Sequence, residues 1–386
     1  LTCGQCIITC PTKALKPKSE VENILKAKED GKILICYTSP AIRVSIGESF
    51  GYEPGTFLVG KLVGALRKLG FTYVLDTTFG ADLTIMEEAN ELKERILHQG
   101  VLPMFTSCCP AWVKYAETFY PEILDHLSTC KSPIGMQGIM VKEYFAKQMS
   151  LEKEKIYTVA ITPCTAKKFE LKREEIPGTD AVITVSELTD WLKKETVDLK
   201  NVEESTFDSL LGEGSGGGTI FGNTGGVCEA ALRTLYYDLT GKDYAPENLE
   251  FQKVRGYENV KEATVKIEGR EIRLAVVHKI SAAKKILEEV KNGTSPYHFI
   301  EIMNCQGGCV GGGGQPRYPE GMEQTFKEKR IAGLYQRDHE DKVKAAYQNP
   351  DIKKIYQNFL LEPGSEIAHR YLHTNYKKSN GISSSG

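Results

Sequence analysis

Five cysteines spread over three short loops constrain this chain more than anything else in it. Cys108 and Cys109 lie in Thr106-Ser107-Cys108-Cys109-Pro110, and Cys164 follows Thr162-Pro163. Cys305 and Cys309 open a run that ends in Gly311-Gly312-Gly313-Gly314-Gln315-Pro316. Small residues, Pro and Gly around each thiol let backbone amides crowd against whatever the sulfurs hold. The chain must therefore fold so that three distant loops meet, and an iron-sulfur cluster is the natural occupant.

A second cysteine group opens the chain, with Cys3, Cys6 and Cys10 followed by Pro11. The spacing Cys-x-x-Cys-x-x-x-Cys-Pro is the latter part of a bacterial ferredoxin run, whose last cysteine serves the other cluster of a pair. One more cysteine, three residues before Cys3, would complete it. The expectation is a chain that begins inside the motif, with residues 1–17 the remnant of a ferredoxin-like domain and further modules upstream. Zinc is the rival for any Cys-x-x-Cys, but the Cys-Pro ending and the small Gly4 favour iron-sulfur.

With 386 residues the chain exceeds what one hydrophobic core normally serves, so two lobes are expected. A formal net charge of -2 gives no support to nucleic-acid or anionic-membrane binding. Seven of the eleven cysteines cluster in Cys-x-x-Cys, Cys-Cys and Cys-x-x-x-Cys groups, which argues for metal-bound thiolates in a reducing compartment over disulfides. No apolar run approaches the roughly 20 residues needed to span a bilayer.

The charged stretch from Lys16 to Lys32 reads as a helix-bearing linker. Alternation then predicts strands at 33–37, 73–75, 101–105, 157–161, 181–184, 273–277 and 299–303. Helices are predicted near 60–69, 83–97, 186–194, 226–237 and 281–291. This is an α/β fold with a mostly parallel sheet in each of two lobes, flanked by helices. The lobes are expected at 18–155 and 156–325, with a polar helical tail at 326–378 and a disordered, low-complexity end at 379–386. All three cysteine loops follow the C-terminal end of a strand, where open α/β sheets bind ligands. The Gly-rich stretch 212–218 reads as a flexible loop. Gly225-Gly226 leads straight into a helix, and fits close approach to a cofactor as well as ordinary helix–sheet packing.

Pro110 suits the first turn of a helix whose free amides would face the cluster. Lys167, three residues after Cys164, shares its helical face and can aim an ammonium at whatever Cys164 holds; a solvated surface lysine is the plainer alternative. Neighbouring Cys108 and Cys109 cannot both readily point at one cubane. One is a ligand, and the other is free to pass protons.

The three loops closely resemble those of the iron-iron (FeFe) hydrogenases. Thr106 through Pro110 with Trp112 matches that family's first signature, and Pro163 through Glu170 its second except at Thr162. Glu301 through Pro316 matches the third, and Tyr371-Leu372-His373-Thr374 with Tyr376 is similar to its small-subunit segment. The resemblance implies that Cys109, Cys164, Cys305 and Cys309 bind the four-iron part of an H-cluster lying in the cleft between the lobes. Cys309 would also bridge to a diiron unit carrying carbon monoxide, cyanide and azadithiolate. Cys3, Cys6 and Cys10 would hold four-iron clusters of the ferredoxin type. Lys167 would hydrogen-bond a cyanide, and Ser39, Pro40, Ala41, Ile134, Thr162, Phe221 and Met303 would line the cofactor pocket. Cys108 would exchange protons with the bridgehead amine.

From Cys108 the family's relay implies a route through Glu88, Ser128, Glu91 and Arg95. Glu88, Glu91 and Arg95 fall on one helical face, a stripe that by itself reads as solvated surface. Several positions depart from the family's usual residues. Thr162 stands for a methionine, Ile134 for a glutamine, Ser39-Pro40-Ala41 for Ala-Pro-Ser, and Cys228 for a methionine expected near the pocket.

The leading expectation is an enzyme of an anaerobic bacterium's cytoplasm that reversibly reduces protons to dihydrogen. Ferredoxin or a similar carrier would supply electrons, and maturation proteins would install the cofactor. A dihydrogen sensor is the second reading and a non-catalytic iron-sulfur assembly factor the third; Cys108 and Lys167 weigh against the third.

Overall fold

The computed structural model describes residues 1–244, 251–254 and 258–378. The expectation for 379–386 lies outside the described residues. Nine strands, β1 (Ile33–Thr38), β2 (Tyr73–Asp76), β3 (Met104–Phe105), β4 (Ile156–Thr162), β5 (Ala181–Thr184), β6 (Gln252–Lys253), β7 (Val260–Ile267), β8 (Arg270–His278) and β9 (Phe299–Met303), form two sheets among these residues.

The first sheet runs β2-β1-β4-β5 with every pair parallel. It is buried on both faces, which is why its strands read as unbroken apolar runs. Leu34, Cys36, Val74, Val159, Ile161 and Ile183 pack to one side; Ile35, Tyr37, Leu75, Ala160 and Val182 pack to the other. Between β1 and β4 the winding reverses, and a crevice opens there beyond the strand ends. Ser39-Pro40-Ala41 leaves one side of that crevice, and Pro163-Cys164 leaves the other.

The second sheet runs β3-β9-β8-β7-β6. It is parallel from β3 to β8 and antiparallel from β8 to β6. Both strand ends that carry cysteine loops, those of β3 and β9, lie in the parallel half. β7 and β8 form a hairpin closed by Glu268-Gly269, both at positive φ, the backbone a two-residue hairpin turn requires.

The expected boundary between residues 155 and 156 does not separate these sheets. β4 and β5 return to the first sheet, whereas β3 had already entered the second. Sheet pairing is non-local, and strand–helix alternation alone carries no information about which sheet a strand joins. The strand expected from Val101 is only Met104–Phe105, since Pro103 has no N–H for the ladder. The stretch 212–218 is no flexible loop. Ser215 caps a buried helix at Gly216–Ile220, and a Cβ on Gly216 would sit 1.9 Å from Asp338 Oδ1. These glycines serve close packing.

The tail contains the helices Glu323–Glu340, Pro350–Ile355 and Glu366–Leu372. It is tied to the body by buried polar contacts: Arg330 to Glu48, Arg233 to Asp338, Asn349 to Asp82, and Tyr356 to Glu87.

Candidate metal centre and proton line

The cysteine loops converge on one cavity. Cys108, Cys109, Cys164, Cys305 and Cys309 line it, together with Lys167 and the expected pocket residues Ser39, Pro40, Ala41, Ile134, Thr162, Phe221 and Met303. Local structure fixes each loop. Cys109 is the N-cap of helix Pro110–Phe119, with Pro110 in its first turn. Trp112, wholly buried, donates its indole N–H to the Thr106 carbonyl at 3.0 Å and packs edge-on against Phe105. A single bond of this kind stabilises by about 1 kcal/mol, enough to favour one loop conformation.

Burial pushes all four expected ligand thiols up, Cys164 and Cys309 to about 12. Cys164, Cys305 and Cys309 also feel charge from others of the set. Thiolates packed this way repel one another in a medium that penalises charge, so the donor set fits a group that supplies compensating positive charge. A multi-iron cluster does that, and its width suits thiols arriving from three loops.

Lys167 is buried, donates to the Cys108 carbonyl at 3.0 Å and pairs with Glu170 at 2.7 Å. Glu170, which sequence reasoning left without a role, thus holds the ammonium at the cavity wall. Gln5 was also missed. Its Nε2 lies 3.2 Å from Cys305 Sγ and 2.9 Å from the Gly311 carbonyl. It belongs to the segment of Cys3, Cys6 and Cys10, which lies outside the cavity and docks on the third cysteine loop. Thr165 donates to the Thr2 carbonyl and Arg317 to that of Cys10. A Cβ on Gly313 would meet the Gly4 carbonyl carbon at 2.3 Å, so glycine is what permits this seam.

Cys228 does not line the cavity. It is buried with Leu235, Leu274 and Val276 in the core behind it. Its N–H and that of Gly225 donate to the carboxylate of Glu301 at 2.9 and 2.6 Å. Glu301 therefore occupies the helix start at Gly225-Gly226, which settles that motif as packing.

The expected proton line lies along helix Thr77–Leu97, capped by Asp76 and six residues longer at its start than the apolar pattern indicated. Glu88 is fully buried, and neither carboxylate oxygen completes a hydrogen bond, although Ser128 and the Ser107 backbone approach it. Burial, reinforced by Glu91, pushes its carboxyl up to about 8. Its charge is also felt at the buried Cys108 thiol. Ser128 donates to Glu91 at 3.0 Å, and Arg95 donates to the other Glu91 oxygen at 2.6 Å. Arg95 is itself held by the carbonyls of Val101, Asp125 and Leu127. The stripe of glutamates is thus buried at Glu88 and largely buried at Glu91.

Residues 32–313 match the family described as iron only hydrogenase large subunit, C-terminal domain, and residues 324–379 match iron hydrogenase small subunit. The chain is 47% identical over 83% of its length to the periplasmic iron hydrogenase large subunit of Nitratidesulfovibrio vulgaris, covering 78% of that protein. It is 43% identical over 95% of its length to iron hydrogenase 1 of Clostridium pasteurianum, spanning 65% of that longer protein. Cytosolic iron-sulfur assembly component 3 of Bos taurus is 30% identical over 99% of the chain, with 84% of that protein covered. A solved FeFe-hydrogenase from Chlamydomonas reinhardtii superposes with a TM-score of 0.83 at 35% identity, covering 94% of this chain and 99% of that one. One relative is periplasmic by name, so similarity alone does not assign a compartment. Among the described residues no helix is long and apolar enough to cross a membrane.

Proposed function

Because this chain belongs to the iron-only hydrogenase family, we propose that it is a working hydrogenase that interconverts protons and dihydrogen. The carrying observation is that Cys108 and Lys167 share the cavity of the four cluster cysteines, with a line of buried acids leading from Cys108. When bound, an H-cluster supplies the redox-active iron at which the conversion occurs. Cys109, Cys164, Cys305 and Cys309 hold it, and Lys167 offers it a buried charged donor.

Cys108 Sγ takes and gives the proton at the cavity. Glu88 accepts it next, and a carboxyl that titrates near 8 can both receive and release a proton close to neutrality. Ser128 stands beside both carboxylates and hands the proton to Glu91 by hydroxyl rotation. Arg95, a donor only, fixes Glu91 at the outer end. Electrons enter on the opposite side, where Cys3, Cys6 and Cys10 would hold ferredoxin-type clusters against the Cys305 loop; a ferredoxin-like carrier and a reducing cytoplasm suit this reading.

The 30% identity to an iron-sulfur assembly component favours a second, non-catalytic reading. Infrared spectroscopy after anaerobic maturation, or after loading with a synthetic diiron complex, separates them. Diatomic stretching bands with dihydrogen turnover support the enzyme; bands that respond to dihydrogen without turnover support a sensor. Neither bands nor turnover leaves the assembly role.

A further inference from the structure

Beside the proton line lies a set of metal-binding side chains that the reading above does not use as one. Cys130, His373 and Glu91 each present a donor atom, and the three atoms lie within 4.8 Å of one another. Glu91 belongs to the long helix, Cys130 to the loop after Ser128, and His373 to the C-terminal tail. Cys130 and His373 face each other as an isolated antiparallel bridge.

The orientation of His373 is set by a buried acid. Its Nε2 lies 2.9 Å from Glu87 Oε2, and a carboxylate only accepts, so Nε2 carries the hydrogen. Nδ1 is thereby turned inward, 2.7 Å from the Thr129 hydroxyl. That hydroxyl reaches Glu91 Oε2 at 3.2 Å, and Cys130 Sγ points at the same oxygen from 3.8 Å. An imidazole held by a carboxylate through its far nitrogen is how proteins orient histidine toward a metal. Glu91 and Glu87 also place negative charge beside the Cys130 thiol.

We propose that Cys130, His373 and Glu91 form a binding site for a single divalent cation of the zinc class, whose occupation closes the proton exit. A thiolate, an imidazole and a carboxylate suit zinc, with a fourth position left to water or the Thr129 hydroxyl. Magnesium and calcium need oxygen ligands throughout and are poorly served. Cys130 is wholly buried and the side chain of His373 is only 7% exposed, so the ion enters past the exposed His369, whose tilted ring lies 4.1 Å from that of His373. Binding consumes the carboxylate that Ser128 feeds, so the loss of turnover rests on the proposed proton route, whereas the site itself does not. The ion would also clamp the tail to the long helix.

The test uses the matured holoenzyme under anaerobic conditions, its cluster cysteines already filled, with one equivalent of zinc. X-ray absorption should place one sulfur at about 2.3 Å from zinc among lighter ligands. Turnover should fall at least about tenfold and recover with a chelator. Cys130→Ala should keep its zinc-free turnover, lose the sulfur contact and weaken zinc inhibition by roughly 10- to 100-fold, and His373→Gln should weaken it comparably. A zinc shell without sulfur, or equal inhibition of parent and both variants, overturns the site. Zinc bound through Cys130 with turnover intact sustains the site and overturns the route through Glu91.

Discussion

The two sides of the central cavity are made of different material. Toward helix Thr77–Leu97 the wall carries Cys108, and behind it stand the acids Glu88 and Glu91, with Ser128 between them and Arg95 at the end. Toward the third cysteine loop it carries glycine backbone, with Gly4 pressed on Gly313 and Gln5 reaching Cys305. A proton needs a sequence of groups that can each hold it briefly. An electron needs close packing and no stops. One cavity thus borders a region built for chemistry in steps and another built for contact.

The sharpest way to break this contrast is within the adjacent pair Cys108 and Cys109. Cys109→Ala should lose bound iron and with it all turnover, measured by iron content and dihydrogen assay. Cys108→Ala should retain iron and the diatomic infrared bands while turnover falls by about 10²- to 10⁴-fold. Full activity in Cys108→Ala would end the assignment of that wall to protons.

Glu88→Gln should keep the cofactor and lower turnover by a comparable or smaller factor. It also has a signature in stability. Burial raises the acid from 4.5 to about 8, so in that window the native chain holds a proton that the unfolded chain has released. Folding stability from this group is present at low pH and is lost as pH rises toward 8. The melting temperature of Glu88→Gln relative to the parent should therefore rise between about pH 5 and about pH 9. A constant difference would show that Glu88 is not held protonated.

On the opposite side, effects should be smaller and appear in potentials. Gln5→Ala removes a hydrogen bond to Cys305 Sγ, and such bonds favour the reduced cluster. A redox titration should find the four-iron cluster harder to reduce, with turnover less affected than in Glu88→Gln. Smallest of all should be Thr162→Met combined with Ile134→Gln, which changes polarity at the cavity wall without touching a ligand. The diatomic bands should shift and the ratio of oxidation to evolution change, with iron content intact.

Much of the site was legible because its residues are local to their loops. Cys109-Pro110 predicts a helix start, and the spacing of Glu88, Glu91 and Arg95 predicts a shared face. What escaped is what depends on remote partners. Nothing adjacent to Gln5 says that it will meet Cys305, 300 residues away, and nothing around His373 announces Glu87. The glycines at 212–218 read as slack because composition cannot distinguish a backbone that is free from one pressed against Asp338. Cys228 was placed near the pocket because the resembling family has a methionine there, but helical rotation turns its side chain into the core.

The crossing of strands between the two sheets has a consequence for how this molecule can be taken apart. A fragment ending at residue 155 would own β1 and β2 of one sheet and β3 of the other, and could complete neither. The remainder would begin with the missing partners of the first sheet and end with most of the second. Neither piece contains an autonomous core, so the cavity cannot open by two consecutive halves swinging apart on a hinge. Whatever enters it must pass through its loops, into a frame that already has to be whole.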